Sequence, residues 1–158
     1  MSEIQKAVAA IDPSLVRIGV AAASCEELVA AMGTVLLEKG FVKPSYVQAL
    51  LEREREFPTG IAAAGVGVAI PHSDASHVLQ TTTAVWVLKE PVPFHVMGGA
   101  EEDSINVGIV FMLAINNPQD HLAFLQRLLG LFANEAIMSG IRRAGDPVIV
   151  AEIINQAI

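Results

Sequence analysis

The sequence predicts an α/β domain, and three observations carry that prediction. Strand-length apolar stretches alternate along the chain with segments of helical periodicity. The helical segments are bracketed by capping and stop residues. Of 158 residues, 53% are hydrophobic and 17% charged, enough to fill the core of a single domain.

Residues 1–13 are poorly patterned, and Pro13 punctuates them. Leu15 to Ala22 reads as the first strand. Ser24-Cys25-Glu26-Glu27 is a capping box, in which Ser24 accepts from the amide of Glu27 and Glu27 reaches back. The helix it opens places Leu28, Val29, Met32, Val35 and Leu36 on one face, and Lys39-Gly40 ends it. Cys25, near that amino end, reads as a small packed residue. Pro44 suits the first position of a second helix, with Val47, Leu50 and Leu51 as its apolar face. The charge run Glu52-Arg53-Glu54-Arg55-Glu56 reads as a solvated face with weak ion pairs, after which Phe57 to Gly60 turns the chain.

Gly65 to Ile70 reads as a short buried strand, its Val66, Val68 and Ile70 alternating with small residues that suit close packing. Pro71 cannot donate to a ladder, so this strand ends there or runs at an edge. Thr82 to Leu88 is a strand by its β-branched and aromatic content, ended by Pro91 and Pro93. Gly98 to Asp103 is a surface loop. Val107 to Ile115 is a continuous apolar strand, hence central. Asn117 caps a long helix with Pro118 at its first position and a buried face of Leu125, Leu128, Leu129 and Phe132, which His121 continues. Two further helices follow, Glu135 to Ala144 and Pro147 to Ile158.

The net charge of −7 argues against nucleic acid, whose phosphates call for clusters of Lys and Arg. One cysteine allows neither an intramolecular disulfide nor a thiolate metal cluster. No signal pattern opens the chain, and the longest central apolar run is too short to span a bilayer, so the expectation is a soluble cytoplasmic protein. There is no GxxxxGK[ST], and Gly65-Val66-Gly67 lacks the rest of a dinucleotide fingerprint.

His72 follows Pro71, just past the carboxyl end of a strand, where open α/β sheets place their chemistry. Alone it reads as a histidine that merely caps a strand. His121 opens a helix that itself follows a strand, and Arg53 and Arg55 end the helix upstream. A largely neutral histidine is nucleophilic, and an arginine fork with a second imidazole can hold phosphate oxygens. This set suits phosphoryl transfer, which needs mainly positioning and charge stabilisation.

Two motifs narrow the choice. Glu52-Arg53-Glu54-Arg55-Glu56-Phe57-Pro58-Thr59-Gly60-Ile61, followed by Val68-Ala69-Ile70-Pro71-His72, resembles the enzyme IIA domains of the sugar phosphotransferase system. The likeness is to the fructose–mannitol class and its galactitol-type relatives, and it covers residues 14–158, leaving 1–13 as an N-terminal extension. It implies a mixed central sheet of about five strands flanked by helices on both faces. It also implies that His72 accepts phosphate through Nε2 from the histidine-containing phosphocarrier protein and passes it to a cysteine of enzyme IIB. A membrane enzyme IIC would be served indirectly. The family's active-site arginine falls on Arg53, rather than Arg55, and its second histidine on His121. No cofactor is implied. Many relatives carry glycine after the acceptor histidine; Ser73-Asp74 departs from this, looks closer to galactitol-type domains, and favours a polyol or related sugar. Asp74 reads as a turn or helix cap, and His77 and His95 as ordinary surface or loop residues.

Two alternatives stand beside this. The same fold can serve as a regulatory module whose phosphorylated and free forms bind different proteins, as nitrogen-type relatives do. Four histidines with nearby acids can also suggest a zinc site, though no HExxH or cysteine-pair spacing supports it.

Overall fold

The computed structural model describes residues 10–158. Among these, five strands form one mixed sheet: β1 (Val16–Val20), β2 (Gly60–Ala63), β3 (Val66–Ala69), β4 (Thr82–His95) and β5 (Ser104–Ala114). Their spatial order is β1-β4-β5-β3-β2, so β5 is central, as its unbroken apolar run predicts. The β1–β4 and β3–β5 pairs are parallel, and the β4–β5 and β2–β3 pairs antiparallel. Five helices cover the sheet: α1 (Cys25–Glu38), α2 (Tyr46–Glu56), α3 (Pro118–Phe132), α4 (Glu135–Arg143) and α5 (Pro147–Ala157). α1 and α2 pack on one face, against Trp86, Val110 and Met112; α3, α4 and α5 pack on the other, against Val85, Ile109 and Phe111. Alternate residues of β4 and β5 thus feed two apolar layers. No helix among the described residues is long and apolar enough to cross a membrane.

The capping signals form as expected. The Glu27 amide donates to Ser24 Oγ at 3.1 Å, and the Glu27 carboxylate reaches back to the amide of Ala23 at 3.0 Å. Gly40, at φ +82°, closes α1, with the Phe41 amide on the Leu36 carbonyl. Gly67 explains the small residues of β3: a Cβ there would strike the Asn106 carbonyl of β5.

Several boundaries differ from expectation. β1 spans only Val16–Val20, because Leu15 belongs to a short 3-10 turn capped by Asp12. Pro44 lies in the turn before α2 instead of its first position. β2 begins where only a turn was expected and pairs with β3 as a hairpin. β4 does not stop at Pro91 and Pro93 but runs to His95. Its register with β5 shifts between Val87 and Val92, and its pairing with β1 ends at Leu88. The prolines therefore sit at a bulge and along an unpaired flank, where a missing donor is tolerated. On α3, Leu129 is exposed and the buried set is Phe124, Leu128, Leu131 and Phe132. Just before residue 14, Ile11 is buried, and its amide and carbonyl both bond the Asn155 side chain of α5.

Candidate functional site

His72 lies three residues beyond the end of β3, as expected. The Leu113 amide donates to the Pro71 carbonyl at 3.0 Å, and His72 forms an isolated parallel bridge with Leu113. The histidine is thereby pinned to the end of β5. From there the chain continues through Ile115 to Asn117, whose side chain caps α3 by accepting from the amides of Gln119 and Asp120. One turn into α3 comes His121, its ring centroid 4.6 Å from that of His72 and tilted by 51°. The two histidines meet because their segments leave neighbouring parallel strands at the same end of the sheet.

Arg53 arrives from the last turn of α2. Its Nη1 lies 3.6 Å from Asp74 Oδ1, and its Cζ is 5.4 Å from the centroid of the Phe57 ring. Its Nε is buried with no hydrogen-bond partner. Arg53, His72, Asp74 and His121 share a shallow concavity of about 160 Å3, with Ile115 and Pro118 in its walls. Arg55 points elsewhere: it lines a larger hollow of about 380 Å3 together with Cys25, Glu54 and His95, and neither His72 nor His121 reaches it.

The electrostatics keep both rings neutral near pH 7. Burial is the main cause that holds the His72 pKa below its ordinary 6.5; Arg53 adds to this, while the bond to Ile70 and the Asp74 carboxylate oppose it. His121 is pushed down to about 4 by burial first, then by His72 and Arg53. The tautomer of His72 follows from its partner. Its Nδ1 lies 2.8 Å from the Ile70 carbonyl oxygen, which can only accept, so Nδ1 carries the proton. Nε2 is left with its lone pair. A neutral imidazole with a free Nε2, beside a guanidinium and a second imidazole, can bond an electrophilic phosphorus and hold its oxygens.

The three predicted residues Arg53, His72 and His121 are thus together. Asp74 does not cap the 3-10 turn it precedes; it faces Arg53 instead. His77 bonds Ser45 Oγ at 2.8 Å, and His95 is exposed at the end of β4. The charge run of α2 is not uniformly solvated: Glu54 is buried and bonds both the amide and the hydroxyl of Thr59. The Glu54 burial follows the spacing of Tyr46 and Leu50 on the same helix face, a signal that its charged neighbours mask. Among the described residues, no three His, Cys, Asp or Glu side chains are grouped to hold a metal ion.

Residues 9–157 match the family model described as "Phosphoenolpyruvate-dependent sugar phosphotransferase system, EIIA 2". The "PTS system galactitol-specific EIIA component" of Escherichia coli K12 is 34% identical over 115 residues, 73% of this chain and 75% of that protein. The crystal structure of IIA mannitol from Escherichia coli superposes with a TM-score of 0.75 at 26% identity, covering 91% of this chain and 98% of that one. The same enzyme in the NMR structure of its complex with phosphorylated enzyme IIB of the mannitol system gives 0.76 at 26% identity, covering 92% and 97%.

Proposed function

The chain belongs to the EIIA 2 family of the phosphoenolpyruvate-dependent sugar phosphotransferase system, and on that premise we propose that it is a cytoplasmic phosphocarrier that works through His72. Nε2 of His72 attacks the phosphorus held on the histidine of the phosphocarrier protein. A new N–P bond forms, the donor N–P bond breaks, and the donor ring recovers its lone pair. In the second step a cysteine thiolate of enzyme IIB attacks; an S–P bond forms and Nε2 recovers its lone pair. Arg53 contributes a fixed charge to the phosphate oxygens in both steps, and neutral His121 contributes one N–H. The observation that carries this reading is the 2.8 Å contact of His72 Nδ1 with the Ile70 carbonyl, which leaves Nε2 unprotonated in a concavity shared with Arg53 and His121. The similarity to a galactitol-specific component supports galactitol or a related polyol as the sugar.

The test is transfer from phosphoenolpyruvate through enzyme I and the phosphocarrier. One acid-labile phosphate is expected, on the peptide holding His72, and onward transfer to a galactitol-type enzyme IIB. Labelling that persists in His72→Ala would overturn the assignment. Uptake without onward transfer to any enzyme IIB would turn the reading to a regulatory module.

A further inference from the structure

A buried polar chain links the two segments that carry Arg53 and His72. It starts at Glu54, next to Arg53 on α2. Glu54 Oε2 accepts from the Thr59 amide at 2.7 Å, and Oε1 accepts from the Thr59 hydroxyl at 2.6 Å. When Glu54 is ionised, above about pH 7, Thr59 commits its own proton to the carboxylate, and its Oγ1 accepts from the Ile70 amide at 3.2 Å. The Ile70 carbonyl then accepts from His72 Nδ1. Thr59 is 2% exposed and Ile70 0%, so water does not compete along the way.

A buried carboxylate is a costly way to hold a fold together; apolar residues of similar volume serve as well. Here its two oxygens fit the two donors of one threonine, and the chain ends on the ring nitrogen whose protonation decides what His72 can do. With its amide tied and its side chain buried, Ile70 has little freedom to turn. Pro71 fixes the next φ. The direction of the Ile70 carbonyl is set from both sides.

We propose that Glu54 and Thr59 are positioning residues that aim the Ile70 carbonyl at His72 Nδ1 and so keep Nε2 unprotonated for phosphoryl transfer. The proposal rests on the phosphocarrier reading for its use, though not for its geometry.

The experiment reads the His72 tautomer by imidazole 15N NMR in the unphosphorylated protein, with no partner present, and phosphate uptake from the phosphocarrier in a separate assay. Thr59→Val keeps the shape and removes the hydroxyl. It is expected to move part of the proton from Nδ1 to Nε2 and to slow uptake about five- to tenfold, the scale of one lost hydrogen bond. Thr59→Ser, which keeps the hydroxyl, should restore the tautomer and most of the rate. Glu54→Gln offers one acceptor to two donors and should fall between them; it decides the matter if Thr59→Val does not fold. A folded Thr59→Val or Glu54→Gln with the wild-type tautomer ratio overturns the proposal. Wild-type protein that takes no phosphate, while the variants still shift the tautomer, overturns the phosphocarrier reading and leaves the positioning chain standing.

Discussion

Replacing His121 by alanine tests the second imidazole most directly. Its pKa of about 4 means that at pH 7 roughly one ring in a thousand is protonated. In the proposed transfer it would meet the phosphate as a neutral donor of one N–H, from a ring 4.6 Å from that of His72. A hydrogen bond to a charged group is worth about 1.5–3 kcal/mol, so its loss in the transition state slows transfer roughly 10- to 150-fold. Quenched-flow transfer from the phosphocarrier measures the rate, and circular dichroism reports whether the variant folds. His121→Gln keeps a donor and should recover part of the loss. Phosphate on His72 brings negative charge beside His121, so its pKa should rise on phosphorylation, visible by NMR titration of the two forms. If His121→Ala transfers phosphate at the wild-type rate while its melting temperature drops clearly, His121 is structural and the reasoning fails.

Two further outcomes are expected. Arg53→Gln should slow transfer roughly tenfold or more, and Arg53→Lys should recover only part, because the ammonium keeps the charge without the fork; Arg55, which lines the other hollow, should tolerate Gln. If Arg55→Gln is the slower of the two in the same assay, the arginines have been assigned the wrong way round. Stability against pH separates two buried groups. Between about 4 and 6.5 the unfolded chain binds a proton at His121 that the folded one refuses, so this group makes stability rise with pH. Glu54, raised by burial to about 7 from 4.5, does the opposite: the folded carboxyl keeps its proton where the unfolded one has lost it, so stability falls as pH rises through that window. His72, also held below 6.5, adds to the rise, and Glu54 opposes both. Removing the His121 contribution should therefore make the pH dependence of His121→Gln between 4 and 6.5 less rising, or more falling, than that of the wild type, read from urea midpoints. A wild-type and variant difference that stays flat from pH 4 to 7 would contradict the shift at His121.

What the sequence made legible was chiefly local chemistry. Ser24, Gly40 and Asn117 each satisfy backbone groups within a few residues, so their roles can be read without the fold. That Arg53, His72 and His121 could meet was legible through motif and position. β2 was not, since Gly60–Ala63 becomes a strand only by pairing with β3. Pro91 and Pro93 read as stops because nothing local reveals a bulge and an unpaired flank. Glu54 was hidden among exposed charges, because its burial depends on what α2 packs against. Asp74 read as a cap, since its distance to Arg53 exists only once α2 and the chain after β3 are docked.

The sheet's pairing has a consequence for the order in which the candidate site assembles. β1 meets β4 at Val16 and Val85, and β3 meets β5 at Val68 and Ile109, each across a long stretch of intervening chain. Loop closure makes such parallel pairings late and slow, while capped helices form locally and fast. Arg53 and His121 sit on helices, but the bridge between His72 and Leu113 at the end of β5 forms only once β3 and β5 have joined. During refolding, helical signal is therefore expected to return before His72 and His121 are brought together. A newly made chain is thus expected to carry its helices before the concavity shared by Arg53, His72 and His121 has closed.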